Sequence, residues 1–238
     1  MGYEAELRPV WDRLLELYER FDAFCKERHL RYYVTGGTLL GAVRHDGFIP
    51  WDDDFDVVMP RPDYIRMLEL EAHPQDAFFS QAGTTEKPLL FVKLLDEKVP
   101  CTWIDIIPID GMPKADILFG YWMLKRMAWR HYGESLGWKI LNLIFWGGRH
   151  DSCEFQRWLA SFEYDSSPCV EDFNGNGRRF KLRRLNAASF GEPVWHKFDR
   201  VEVPMPREWD KFLRNIFGDD YMTPPSLEKR VPSHVKER

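Results

Sequence analysis

From Glu4 to His29 the apolar residues Val10, Leu14, Leu17, Tyr18, Phe21 and Phe24 recur at helical spacing, which predicts one long amphipathic helix. The period then changes. Arg31–Thr35 (RYYVT) is aromatic and β-branched and stops at Gly36-Gly37, so it reads as a short strand. Thr38–Arg44 (TLLGAVR) predicts a helix opened by the glycine pair, and Gly47 and Pro50 punctuate a turn. A second strand is expected over Asp54–Met59, stopped by Pro60 and Pro62, followed by a helix in DYIRMLELEAH. Leu89–Leu95 and Thr102–Ile107 read as strands, the second closed by Pro108. Asp116–Trp146 has helical spacing with breaks near Gly133 and Gly137, which predicts two helices. Residues 165–177 read as a polar loop. The remainder predicts short strands, a helix over Arg207–Phe217 and a Pro-rich tail from Pro224. The fold class is therefore α+β, a mixed sheet flanked by helices with a helical subdomain. The expected division is a core at 1–113, the helical subdomain at 114–164, and strands, helix and tail at 165–238 completing the core.

Composition narrows the class. The chain has 238 residues, 44% of them apolar and 30% charged, enough to build a core. A net charge of −5 excludes the broad basic field of a nucleic-acid-coating protein. Cys25, Cys101, Cys153 and Cys169 form no C-x-x-C pair and are poorly spaced with His150 for zinc, so buried thiols in a reducing compartment are expected. The first twenty residues do not resemble a signal peptide, and the longest strongly apolar run, Ile140–Trp146, is too short to cross a bilayer. A soluble cytoplasmic protein is the expectation. One dense basic run, Arg178, Arg179, Lys181, Arg183 and Arg184, is either a solvated face or a dock for a polyanionic acceptor or the inner face of an anionic membrane. The aromatics Trp122, Trp129, Tyr132, Trp138, Phe145 and Trp146 read as a packed helical core; stacking on a sugar or boxing a quaternary ammonium group is the other reading.

Candidate chemistry concentrates in GGTLLGAVRHDGFIPWDDDFDVVM, Gly36 to Met59. Asp52, Asp53, Asp54 and Asp56 put four carboxylates within five residues at the mouth of an apolar strand. In a strand Asp54 and Asp56 share a face, where they repel unless a cation lies between them, and hard oxygen ligands beside a phosphate suit Mg²⁺ or Mn²⁺. The glycine pair at a strand-to-helix turn offers backbone N–H groups to an anion. A calcium loop fails, because its sixth position is Val57 and its twelfth Asp63. Asp105 sits alone in the apolar run Trp103–Ile107 and is costly to bury without a partner, for which a metal is suitable. Asp110 reads as a turn residue.

These residues resemble the signature of the LicD family, which includes bacterial phosphocholine transferases and, more distantly, fukutin and fukutin-related proteins. Phe91-Val92-Lys93-Leu94 with Asp96, the strand WIDIIPIDGMP and the tail FGDDYMTPPSLEKRVPSH add to the resemblance, which covers Tyr32–Pro113 and roughly Val194–His234. It implies a nucleotidyltransferase-type fold and Mg²⁺-dependent transfer of a phospho-alcohol from a CDP-activated donor such as CDP-choline. The acceptor is a hydroxyl of a glycan or lipid-linked saccharide, as in teichoic acid or lipopolysaccharide modification. Carried onto this chain, Asp54, Asp56 and Asp105 become the catalytic metal carboxylates, and Gly36, Gly37 and Thr38 the glycine motif on the donor phosphates. Arg44 and Lys93 would offset diphosphate charge, Lys93 being otherwise paired with Asp96 or exposed at a strand edge. His45 either contacts the donor or holds the loop. Arg230 and His234 either return to the site as phosphate contacts or belong to a solvated terminus. Two other functions fit the residues: nucleotidyl transfer from an NTP with release of pyrophosphate, and a glycan- or phosphate-binding module without catalysis.

Overall fold

A computed structural model describes residues 3–70, 72–83, 88–98, 102–112, 118, 120, 136–146, 152–167, 170–172 and 187–232. The chain divides into two compact units, Met1–Pro108 together with Ala188–Arg238, and Ile109–Ala187.

The first unit begins with α1 (Glu4–Glu27), whose apolar face buries Leu7, Trp11, Leu14, Leu17, Tyr18, Phe21 and Phe24 as the spacing predicts. Strand β1 (Tyr33–Val34), helix α2 (Gly36–His45), strand β2 (Asp56–Pro60) and helix α3 (Arg61–Glu69) follow. Next come β3 (Ala77–Gly83), β4 (Pro88–Asp96) and β5 (Trp103–Gly111). The sheet order is β1-β2-β5-β4-β3. β1 and β2 are antiparallel with Tyr33 opposite Val58, and β4 and β5 are antiparallel with Lys93 opposite Asp105. After the second unit the chain adds a short helix α6 (Ala187–Phe190), the hairpin β7 (Val194–Phe198) with β8 (Val201–Met205), helix α7 (Trp209–Phe217) and a 3₁₀ turn at Leu227–Lys229.

The second unit contains the end of β5, where Ile109–Gly111 pairs antiparallel with β6 (Val170–Asp172), and helices α4 (Leu136–Trp146) and α5 (Ser152–Ala160). The α+β expectation of a mixed sheet flanked by helices is therefore met.

Three local expectations are corrected. The acidic strand starts at Asp56, not Asp54, although half-buried and buried positions already alternate from Asp52 to Val57. β5 runs through Pro108 instead of ending there. Its ladder with β4 has ended at Ile106 and pairing with β6 begins at Ile109, so Pro108, which has no N–H to donate, falls between the two ladders. The segment 165–177 contains strand β6 at its centre, where only a loop was expected.

Behind the acidic segment lies an aromatic core. Phe55 is fully buried; its ring centroid is 4.9 Å from Tyr18, 6.1 Å from Phe48 and 5.6 Å from Phe198, so it ties α1, the loop before β2 and the β7–β8 hairpin together. Phe55→Ala is expected to cost about 3–5 kcal/mol, read as a lower midpoint in a denaturant titration at unchanged slope.

The hairpin is also tied to α1 by charge. Arg8 Nη1 donates to Asp199 Oδ2 at 2.5 Å and its Nη2 to Asp12 at 2.6 Å. The Arg8 hydrogen bond holds the Asp199 carboxyl below its ordinary range. A depressed folded-state pKa stabilises the protein above the unfolded value of about 3.9, and that contribution disappears as pH falls through the native value. Asp199 has φ +55, a conformation Asn also accepts, so Asp199→Asn isolates the charge. The expected difference is at most about 1 kcal/mol at neutral pH, because the pair is partly exposed. It should vanish in acid when both proteins are melted across the pH range.

Candidate active site

The site is built where α2 begins. Thr35 is extended, its N–H donates to the Asp56 carbonyl at 3.1 Å, and Gly36 then turns at φ +55 into the helix. That conformation favours glycine. Thr38 in the first turn accepts the Asp56 N–H through Oγ1 at 2.9 Å, so the start of α2 and the start of β2 are locked together.

The two glycines are needed for a second reason. A Cβ on Gly36 would lie 2.9 Å from Asp56 Oδ2, and one on Gly37 would lie 2.2 Å from Asp52 Oδ2. The bare faces of the pair are thus filled by two of the chain's own carboxylates, set at the positive end of the helix, where negative charge is stabilised. Asp52 is one of the four clustered carboxylates but was not among those assigned to a metal from the sequence. The two-residue alternation carries the signal for it: Asp52, Asp54 and Asp56 are half-buried, whereas Asp53, Phe55 and Val57 are buried. α1 fixes this segment from behind, since Trp11 Nε1 donates to the Asp52 carbonyl at 2.8 Å and its ring stacks on Phe48 at 5.2 Å.

Burial, then the charge and hydrogen bond of Asp54, push the Asp52 carboxyl well above its usual value. Two carboxyl groups so close need a proton or a cation between them. That donor set, hard oxygens only, fits Mg²⁺ or Mn²⁺. Among the described residues no three His, Cys, Asp or Glu side chains gather as a metal cage. Mg²⁺ characteristically takes one or two carboxylates and completes its shell with water and substrate phosphate, so a partial set of this kind suits a nucleotide-borne ion.

Asp105 stands beside the cluster in the sheet, its N–H donating to the Phe55 carbonyl at 3.0 Å. Its carboxylate faces Lys93 Nζ at 3.2 Å across the β4–β5 ladder, and Lys93 also lies 3.9 Å from the centre of the Trp103 ring. The alternative in which Lys93 pairs with Asp96 does not hold: Asp96 is taken by Arg20 and by the Lys98 N–H. The register explains it, because directly opposed residues of unlike charge pair across strands.

On the other side, cations collect on Trp51. The Arg44 guanidinium is 5.9 Å and the Arg230 guanidinium 5.1 Å from the centre of its ring. Arg44 Nη1 donates to the Tyr221 carbonyl at 3.0 Å and Arg230 Nε to the Pro225 carbonyl at 2.8 Å, so the tail is folded back over the end of α2. Arg230 is therefore held beside Arg44 and Trp51 instead of lying in a solvated terminus. Burial and the neighbouring Arg230 charge pull the Arg44 pKa down. Among the described residues neither guanidinium is ion-paired with a carboxylate, a concentration of positive charge suited to an anion. Trp51 was not singled out by the sequence, because its second cation comes from a segment far along the chain.

His45 Nε2 accepts from Arg44 Nε at 3.0 Å, and partial burial and the Arg44 charge lower its pKa. The imidazole is thus kept neutral at the end of α2. His234, the basic run 178–184, Cys101, Cys169, His150 and the aromatics before residue 136 lie outside the described residues. Cys25 is buried, and its thiol is pushed up by that burial.

Residues 29–130 match the family model described as "LicD/FKTN/FKRP, nucleotidyltransferase domain". The chain is 26% identical to the lipopolysaccharide cholinephosphotransferase LicD of Haemophilus influenzae, over 94% of each chain. It is also 38% identical to an uncharacterised protein of Rickettsia prowazekii over 72 residues, 30% of this chain and 25% of that one.

Proposed function

We propose, from the match of residues 29–130 to the LicD family model, that the chain transfers phosphocholine, or a similar phospho-alcohol, from a CDP-activated donor to a hydroxyl of a glycan or glycolipid. The observation that carries this reading is the seating of the Asp52 and Asp56 carboxylates on Gly37 and Gly36, together with a pair of arginines gathered on Trp51, the residue before Asp52. Carboxylates and guanidinium groups so placed suit a metal-bound diphosphate.

In this reading the pair Asp54 and Asp56 would hold Mg²⁺ or Mn²⁺, with water and the donor phosphates completing the shell, and Asp105 stands on the adjoining strand. When bound, such an ion neutralises the diphosphate and lowers the pKa of the attacking hydroxyl. Arg44, Arg230 and Lys93 balance the charge of the donor phosphates, and the first turn of α2 with Thr38 fixes the carboxylates. The acceptor oxygen forms a bond to the phosphorus carrying the alcohol as the bond to CMP breaks. The hydroxyl proton passes to a carboxylate, and Asp105, with Lys93 Nζ at 3.2 Å, is the group assigned to take it.

The test is a product assay with CDP-choline, lipopolysaccharide and Mg²⁺. The expected result is CMP in equal amount to acceptor-bound phosphocholine. Pyrophosphate released from CTP, with no CMP from CDP-choline, would replace this reading with nucleotidyl transfer.

A further inference from the structure

Helix α4 carries an apolar stripe on its outside. Leu136, Ile140, Leu143 and Ile144 follow the i, i+4, i+7, i+8 spacing of a single face, and they are 75, 49, 62 and 66% exposed. The sequence reading expected this segment to be packed core, and these four side chains are not. Scattered exposed aliphatics need no explanation, but a stripe of four on one helix face does. The exposed Lys139 is the only charged residue in the helix.

Charge identifies what would cover the stripe. The unit 109–187 has twelve Lys and Arg against nine Asp and Glu, a net +3, while the rest of the chain has 21 against 29, a net −8. A positive unit with an apolar stripe complements a surface that is both apolar and anionic. It disfavours self-association through the same face, which would bring like charges together. Eleven residues span about 16 Å, too little to cross a bilayer but suited to lying along one. Among the described residues no helix is long and apolar enough to cross a membrane.

We propose that α4 is a docking helix for an anionic lipid surface, with Leu136, Ile140, Leu143 and Ile144 entering the headgroup boundary and the net positive charge of the unit drawing it to the lipid phosphates. The inference does not depend on the proposed reaction.

Cosedimentation of the whole protein with vesicles, without donor or acceptor, tests it. Vesicles of phosphatidylcholine containing about one-third phosphatidylglycerol should pull the protein down, pure phosphatidylcholine far less, and about 0.5 M NaCl should weaken the binding. The double variant Leu143→Glu/Ile144→Glu should lower partitioning by roughly tenfold or more. Its thermal midpoint should match that of the wild type, because both side chains are already exposed. Protein left in the supernatant with the anionic vesicles would overturn the proposal. So would a wild-type dimer, seen by light scattering, that the double variant converts to monomer, since the stripe would then be an interface between copies.

Discussion

Asp56→Asn is expected to lower CMP release from CDP-choline by roughly 10³-fold or more, the scale of losing a principal electrostatic group. Asn keeps the size of the side chain and its contact over Gly36 while removing the charge. The backbone bonds that position residue 56, its N–H to Thr38 and its carbonyl from Thr35, involve no side-chain carboxylate and survive the change. The loss should therefore appear in turnover at nearly unchanged thermal stability. Asp54→Asn should behave alike. Substantial turnover in both variants would remove the assignment of these carboxylates to the reaction.

Gly37→Ala is expected to cost roughly 10²-fold in turnover, the penalty of shifting a catalytic carboxylate by about an ångström, because the Asp52 it displaces is hydrogen-bonded to Asp54. The new methyl would come within 2.2 Å of Asp52 Oδ2 and 3.2 Å of its Cγ. The atoms it meets are the free end of a side chain, so the carboxylate moves and the backbone stays. Gly37 needs no left-handed conformation, and alanine is the better helix former by about 1 kcal/mol, so the fold tolerates the change. Gly36→Ala differs, because it adds a strained φ of +55 to a contact of 2.9 Å and should lose stability as well. A Gly37→Ala protein with full activity would show that the position of Asp52 is immaterial. Unfolding would show that the glycine serves packing alone.

Much of this arrangement was legible because it is local. Apolar period set α1, and glycine, proline and β-branched residues marked the change from β1 to α2 to β2 within a short stretch of chain. The same two-residue period that places Phe55 inward turns Asp52, Asp54 and Asp56 the other way. What was not legible depends on register or on distant segments. Lys93 meets Asp105 only because β4 and β5 pair with those residues opposite, and Asp96 is removed from competition by Arg20 of α1. Trp51 gains its second cation only when the tail folds back. Strand β3 was missed because its residue types do not follow its burial: the buried Ala77 and the adjacent exposed Phe78 are both apolar.

The most direct test of the central claim is calorimetric titration of CDP into the protein with Mg²⁺ and again with EDTA, in wild type and in Asp56→Asn. The account predicts that CDP binds with Mg²⁺, that EDTA weakens binding by at least about tenfold, roughly 1.4 kcal/mol, and that Asp56→Asn binds equally weakly with or without the ion. Binding of CDP that ignores both the metal and the substitution would contradict it.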